Sequence, residues 1–439
     1  MRRLAPLLAP LALVAACGDN LPQVHRLDIV GHTDLGARGM YAALAVAGDT
    51  AYVGSRNDKK GVLIVDLADP ARPTVVGELG PPDEGLPAMS SRELRAVPDL
   101  DLLIVLNMVC GEEQHGCAPT GGEVENFKLY DIADRRAPRL VATIPVTGDF
   151  RRPRSPHEFY LWRDGARVLL FVSAPPGPPA FEVIDLTDPR APVRTTWDPT
   201  QEGVRRLSGD YILHSVGVSA DGKIAYLSHL RAGLLLADVS ALPAVRLLTP
   251  PDAAVTWPPA EFAGPHSAVQ LRGRNVLVLS EEVYPNPLGT GCPWGHVRTV
   301  DASDPAAPVL LGEFRLPEND PAFCAGGDHD RVAFTAHNIT TTRDLAFVTW
   351  YSGGLQVIDV EDPRAPVGLA ELRPEPVPVV EHEDPTLGGH PVLMWSYPVI
   401  QGGLIHVVDS RNGLYVLRYR GRHEDQLFED LFVEGNSNL

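Results

Sequence analysis

Short apolar runs alternating with polar positions recur along the whole chain, and turns separate them. "YAALAV" from Tyr41 and "TAYVGS" from Thr50 lead into "VLIVDLADPARPTVVGEL" from Val62. The last segment reads as a strand, an Asp, a turn containing Pro and a second strand. Proline fixes φ and donates no N–H, so a strand stops there, and Asp bonds the backbone ahead of it. The same segment returns as "FKLYDIADRRAPRLVATI", "FEVIDLTDPRAPVRTTW", "LLLADVSALPAVRLL", "VRTVDASDPAAPVLLGEF" and "LQVIDVEDPRAPVGLAEL". Its Asp falls at 66, 131, 185, 238, 301 and 359, and "GLYVLRYR" from Gly413 adds a seventh copy with Arg418 at the Asp position. Two apolar runs precede each copy, so each unit supplies four strands. Seven such units predict an all-β chain folded as a seven-bladed β-propeller of four-stranded antiparallel blades.

The seventh unit supplies three strands and then turns polar. "VHRLDIVG" from Val24 resembles the fourth strands "PTVVGELG" and "APVLLGEF", and it is expected to complete the last blade and close the ring. The propeller is therefore placed at residues 24–420, and residues 421–439 read as a polar C-terminal tail. Leu63-Ile64-Val65-Asp66, Val183-Ile184-Asp185 and Val357-Ile358-Asp359 resemble the LVIVD-repeat family of bacterial β-propeller proteins. The resemblance implies fold and carries no catalytic residue with it.

The N-terminus has a different pattern. Arg2 and Arg3 precede an apolar run at residues 4–16, too short to span a bilayer, which ends in Val14-Ala15-Ala16-Cys17. This resembles a bacterial lipoprotein signal. Residues 1–16 are then a cleaved signal peptide, Cys17 carries lipid, and 17–23 form a tether. The expected location is the bacterial cell envelope, on the periplasmic side or the cell surface, with a membrane partner reached through the lipid. Four cysteines remain. In an oxidising compartment they favour disulfides, with Cys110–Cys117 a local closure and Cys292–Cys324 left over; metal binding by these thiols is the alternative. Net charge is −18 with no basic run, which argues against nucleic acid.

The candidate chemistry lies in the histidines. Aligned on the second strand of each unit, His157, His214, His266 and His337 share one position, the start of the innermost strand. Arg92 holds it in the second unit, Tyr41 or Ala42 in the first, and Trp395 or Ser396 in the seventh. His214 to His229 and His266 to Glu281 both span 15 residues, so His229 and Glu281 are expected beside the four imidazoles, as flanking ligands or second shell with Arg92. The loops of this face also carry Asp328, His329, Asp330 and His382.

Three readings stay open. Each imidazole turns into its own blade, toward Ser173, Ser228, Ser280 or Thr349. Or the four hold a transition metal, Fe, Cu or Zn. Or they line a metal-free funnel for a protein or small-molecule ligand. Restriction to four adjacent blades favours the metal, because an internal brace belongs in all seven. The arrangement looks like that of carotenoid-cleavage oxygenases and of methanethiol-oxidase-type selenium-binding proteins, in architecture alone. The chain therefore reads as an envelope lipoprotein with a His-rich funnel for a ligand, partner or metal, or alternatively as a metal-dependent oxidoreductase or oxygenase with axial His ligands. GxSxG, P-loop and HExxH motifs are absent.

Overall fold

The computed structural model describes residues 24–58, 60–82, 88–110, 117–146, 156–174, 180–204, 213–230, 232–256, 264–283, 291–325, 333–384, 393–429 and 432–439. Residues 1–16, read from the sequence as a signal peptide, Cys17 and residues 328–330 lie outside the described residues.

Seven antiparallel sheets follow one another around a ring. The first blade runs outward through Tyr41–Ala47, Thr50–Ser55, Leu63–Asp66 and Thr74–Glu78. Five of the repeated turns are held by two aspartates, and that of the fourth blade by Asp238 alone. Asp66 Oδ1 accepts from the Ala68 N–H at 3.0 Å, and Asp69 Oδ1 accepts from that of Ala71 at 3.1 Å. The equivalent pairs are Asp131 and Asp134, Asp185 and Asp188, Asp301 and Asp304, and Asp359 and Asp362. The sequence repeat is thus a hydrogen-bonding unit, in which short side chains satisfy turn N–H groups that leave the ladder.

The core is not one cluster. Each of seven apolar clusters spans two neighbouring blades, the last joining the seventh blade to the first through Val408 and Val416 against Leu44 and Val53. Every blade buries both faces, which explains why its middle strands read as continuous apolar runs. Ring closure follows the sequence expectation. Arg26–Thr33 pairs antiparallel with Gly413–Arg420 as the outer strand of the seventh blade. Gly31 lies in that strand where a Cβ would come 2.1 Å from the Pro70 carbonyl oxygen, so only glycine admits the first blade's turn. Both expected disulfides are present, Cys110–Cys117 and Cys292–Cys324. Among the described residues helices are short, such as Pro321–Cys324 and Gln426–Glu429, and none is long and apolar enough to cross a membrane.

The C-terminal segment departs from the expected domain boundary. Residues 421–439 are not a tail outside the propeller. Phe432–Glu434 pairs with Val399–Gln401, the innermost strand of the seventh blade, and makes that sheet five-stranded. The chain then bridges to the third blade, where the Leu161 N–H donates to the Asn436 carbonyl at 3.0 Å and the Asn438 N–H to the Leu161 carbonyl at 3.2 Å. Innermost strands have an unpaired edge whose N–H and C=O groups need partners. The tail supplies them, which is why it is polar yet buried. Glu434 lies 3.3 Å from the guanidinium of Arg95, whose side chain is 0% exposed and packs against Phe159 and Tyr397.

Candidate metal centre

The shared histidine position has a backbone cause. In the fourth blade Leu213 pairs with His229 and Ser215 with Ser228, so His214 is the extra residue of a β-bulge. In the fifth, Pro265 pairs with Glu281 and Ser267 with Ser280, leaving His266 as the extra residue. Arg92 holds the same place in the second blade, between Ser91 and Glu93. A bulge re-aims a side chain that regular alternation would send elsewhere. His157 and His337 precede the inner strands of the third and sixth blades, and their N–H groups donate to the Ser173 and Thr349 carbonyls at 2.8 and 2.9 Å.

The four rings form a continuous arc. Centroids are 4.4 Å apart for His157 and His214, 4.0 Å for His214 and His266, and 4.1 Å for His266 and His337. None of the four turns toward the hydroxyl of its own blade. Ser173 Oγ bonds the His214 carbonyl, Ser280 bonds Ser267, and Thr349 Oγ1 bonds Asn338.

Two carboxylates complete the group, and neither is the expected Glu281. Glu282 Oε2 lies 3.7 Å from His214 Nε2 and 3.6 Å from His266 Nε2, and its Oε1 lies 3.4 Å from His337 Nε2. Glu158 Oε1 lies 3.7 Å from His266 Nε2. One atom each of Glu158, His214 and His266 fall within 4.8 Å of one another, and so do those of His266, Glu282 and His337. Tyr351 donates its hydroxyl to Glu282 and stacks near His337.

His229 and Glu281 occupy matching places, but in neither metal-capable group. His229 Nδ1 accepts from the Ala232 N–H at 3.3 Å, folding back on its own turn. Glu281 bonds His296 Nδ1 at 3.0 Å and Arg298 Nε at 2.9 Å, inside the fifth blade. The cause is strand alternation. Both residues end a second strand with side chains turned into the blade, and the next residue, Glu282, takes the opposite direction. His382 stays with Glu381, at 3.3 Å. The sequence signal for the missed pair is the doubled Glu281-Glu282 and the His157-Glu158 dipeptide.

Burial sets the protonation states. It pushes His214 down to about 4, with the nearby Glu282 opposing, and His337 to about 3, against a hydrogen bond to the Trp395 carbonyl. His157 and His266 are held well below the ordinary imidazole range, first by burial and then by the neighbouring imidazoles. All four are neutral near pH 7, the ligating form of imidazole. His337 Nδ1 donates to the Trp395 carbonyl at 2.7 Å, which leaves the lone pair on Nε2, facing Glu282. Neither ring nitrogen of the buried His266 has a hydrogen-bond partner among the described residues, nor does His214 Nδ1. Leaving such a group unsatisfied costs about 1–3 kcal/mol. A bound cation is one group that would offset this cost. A third cluster, Asp359, Glu361 and His423, is occupied by the guanidinium of Arg422, 2.7 Å from Asp359.

Residues 38–79, which contain the first blade, match the LVIVD repeat, and the seven-bladed architecture is consistent with the LVIVD-repeat β-propeller family. No curated protein matches the sequence. Among solved structures, Sqt1 of Saccharomyces cerevisiae is similar at 8% identity, with a TM-score of 0.51, over 91% of this chain and 99% of that one. That likeness concerns fold alone.

Proposed function

We propose that this β-propeller is a transition-metal-binding protein of the bacterial cell envelope, with His214, His266, His337, Glu158 and Glu282 as the ligand set and His157 closing the arc. The observation that carries the reading is His266, a buried neutral imidazole with neither nitrogen hydrogen-bonded among the described residues, set among two further imidazoles and two carboxylates. Mixed imidazole and carboxylate donors suit zinc, iron or copper. Wild-type protein purified without chelator is expected to carry close to one equivalent of metal by elemental analysis. The His214→Ala, His266→Ala double variant is expected to carry less than a tenth of that. Equal content in both would remove the reading.

The lipid anchor supports the envelope location through the sequence pattern ending in Cys17. In a bacterial host, radiolabelled palmitate is expected to label the wild type and not Cys17→Ala. Equal labelling, or none in either, would count against an anchor at this residue. A second reading makes the ion catalytic, in an oxidoreductase or oxygenase. It is favoured by a cavity bordering His157, Glu158 and His337, since catalytic sites keep a coordination position open.

A further inference from the structure

The metal reading leaves the fully buried Arg95 without a role. It lies on the inner strand of the second blade, three residues past the bulge at Arg92. A guanidinium so placed is costly unless carboxylates meet it. Two do. Glu93 Oε2 lies 3.2 Å from Nη1, and Glu434 Oε1 lies 3.3 Å from Nε. The first is local, two residues away on the same strand. The second arrives from the C-terminal tail, held in register by the pairing of Glu434 with Val399. Ser437 donates to the other oxygen of Glu434 at 3.2 Å. Arg95 also reaches toward the metal centre. It packs over Phe159 and Tyr397 at 5.2 and 5.1 Å, and the Tyr397 hydroxyl donates to Glu158 at 3.4 Å. Glu158 is held well above the ordinary carboxylate range, first by burial and then by Glu93 and Glu282, and the charge of Arg95 opposes them.

We propose that the C-terminal tail tunes the affinity of the histidine arc for its ion, with Glu434 as a positioning residue that acts through Arg95. The inference deepens the metal reading and rests on it. A cation close to a ligating carboxylate lowers that site's affinity for a metal ion, and in a buried centre the effect reaches past direct contact. A second carboxylate on Arg95 offsets its field and holds the guanidinium on the side away from Glu158. Neutralising Glu434 therefore shifts the centre by one positive charge. Neutralising Arg95 shifts it by one negative charge, and neutralising both restores the original balance. Mechanical anchoring of the tail gives a different pattern, because a lost anchor is not recovered by removing its partner.

Zinc affinity of the full chain, measured at pH 8 by competition with a chromophoric chelator, tests this. At that pH Glu434, lifted to about 7 by burial, is mostly ionised. Glu434→Gln is expected to weaken zinc about 10-fold, and Glu434→Gln with Arg95→Met to return to within about 3-fold of the wild type. Arg95→Met alone is expected to bind at least as tightly as the wild type, and it tests the same balance if Glu434→Gln fails to fold by its melting profile. Asn438→Ala removes two hydrogen bonds to Arg163, at 2.7 and 2.8 Å, without changing charge, and is expected to leave the affinity unaltered. A double variant weaker than Glu434→Gln would overturn the proposal, as would weakening by Arg95→Met or an equal loss in Asn438→Ala. If the wild type binds zinc and every variant binds it equally, the role of the tail falls and the metal reading stands. A wild type that takes no zinc removes the metal reading and this inference with it.

Discussion

Deleting residues 24–33 is expected to lower the thermal midpoint by roughly 5 °C, at a cost on the order of 5 kcal/mol. The strand Arg26–Thr33 pairs with Gly413–Arg420 from Arg26↔Arg420 to Thr33↔Leu414. Its loss strips the ladder from one side of that strand. It also removes the His32 hydrogen bond to the Asn412 carbonyl at 2.8 Å, and the stacking of His32 on Tyr415 at 4.2 Å. Val30 leaves the cluster that joins the seventh blade to the first. The ring then opens at its single seam, and the exposed edge invites aggregation. A calorimetric scan decides. Cooperative melting at the wild-type temperature would show that the strand does not clasp the ring.

Acidification is expected to destabilise the metal-free protein through histidines that are buried neutral outside the ligand set. Burial pushes His406 and His229 down to about 4, and it lowers His296 beside Arg298. The folded value lies below the unfolded value of about 6.5, so below that pH the unfolded chain binds more protons. Stability is full above 6.5 and falls as the pH drops toward 4. His406 alone accounts for about 3 kcal/mol by then. Glu434, lifted to about 7 by burial against the opposing charge of Arg95, acts in the other direction, since its protonation favours the folded state. The histidine contribution is therefore read as a difference. Urea midpoints of chelator-treated wild type and His406→Gln should diverge at pH 7 and converge by pH 4. Parallel curves would contradict it.

Much of the fold is written in the sequence because its repeating unit is local. An Asp, a Pro and two apolar runs define a turn and two strands whatever the rest of the chain does. Closure is legible as well, since a blade with three strands requires a fourth. The site is legible to one residue. His157, His214, His266 and His337 share a phase because the inner strand of each blade begins in the same way, and the rings form one arc. The carboxylates are not legible in this manner. Alternation turns Glu281 into the blade and Glu282 toward the imidazoles, and equal spacing cannot tell the two directions apart. The tail is illegible for a different reason. Glu434, Asn436 and Asn438 look solvated in sequence, but the unpaired edges of inner strands demand polar partners, and these residues supply them. Arg95, the buried cation that receives the tail, has no local sequence signature.

The central claim is that one ion is held between His214, His266 and His337. Crystals of the wild type grown with zinc and measured on both sides of the zinc absorption edge test it most directly. The account predicts one strong anomalous peak about 2.0–2.1 Å from a ring nitrogen of each of these three histidines, with an oxygen of Glu282 or Glu158 beside it. No peak in the arc, or zinc bound solely elsewhere, such as at Asp359 and His423, would contradict it.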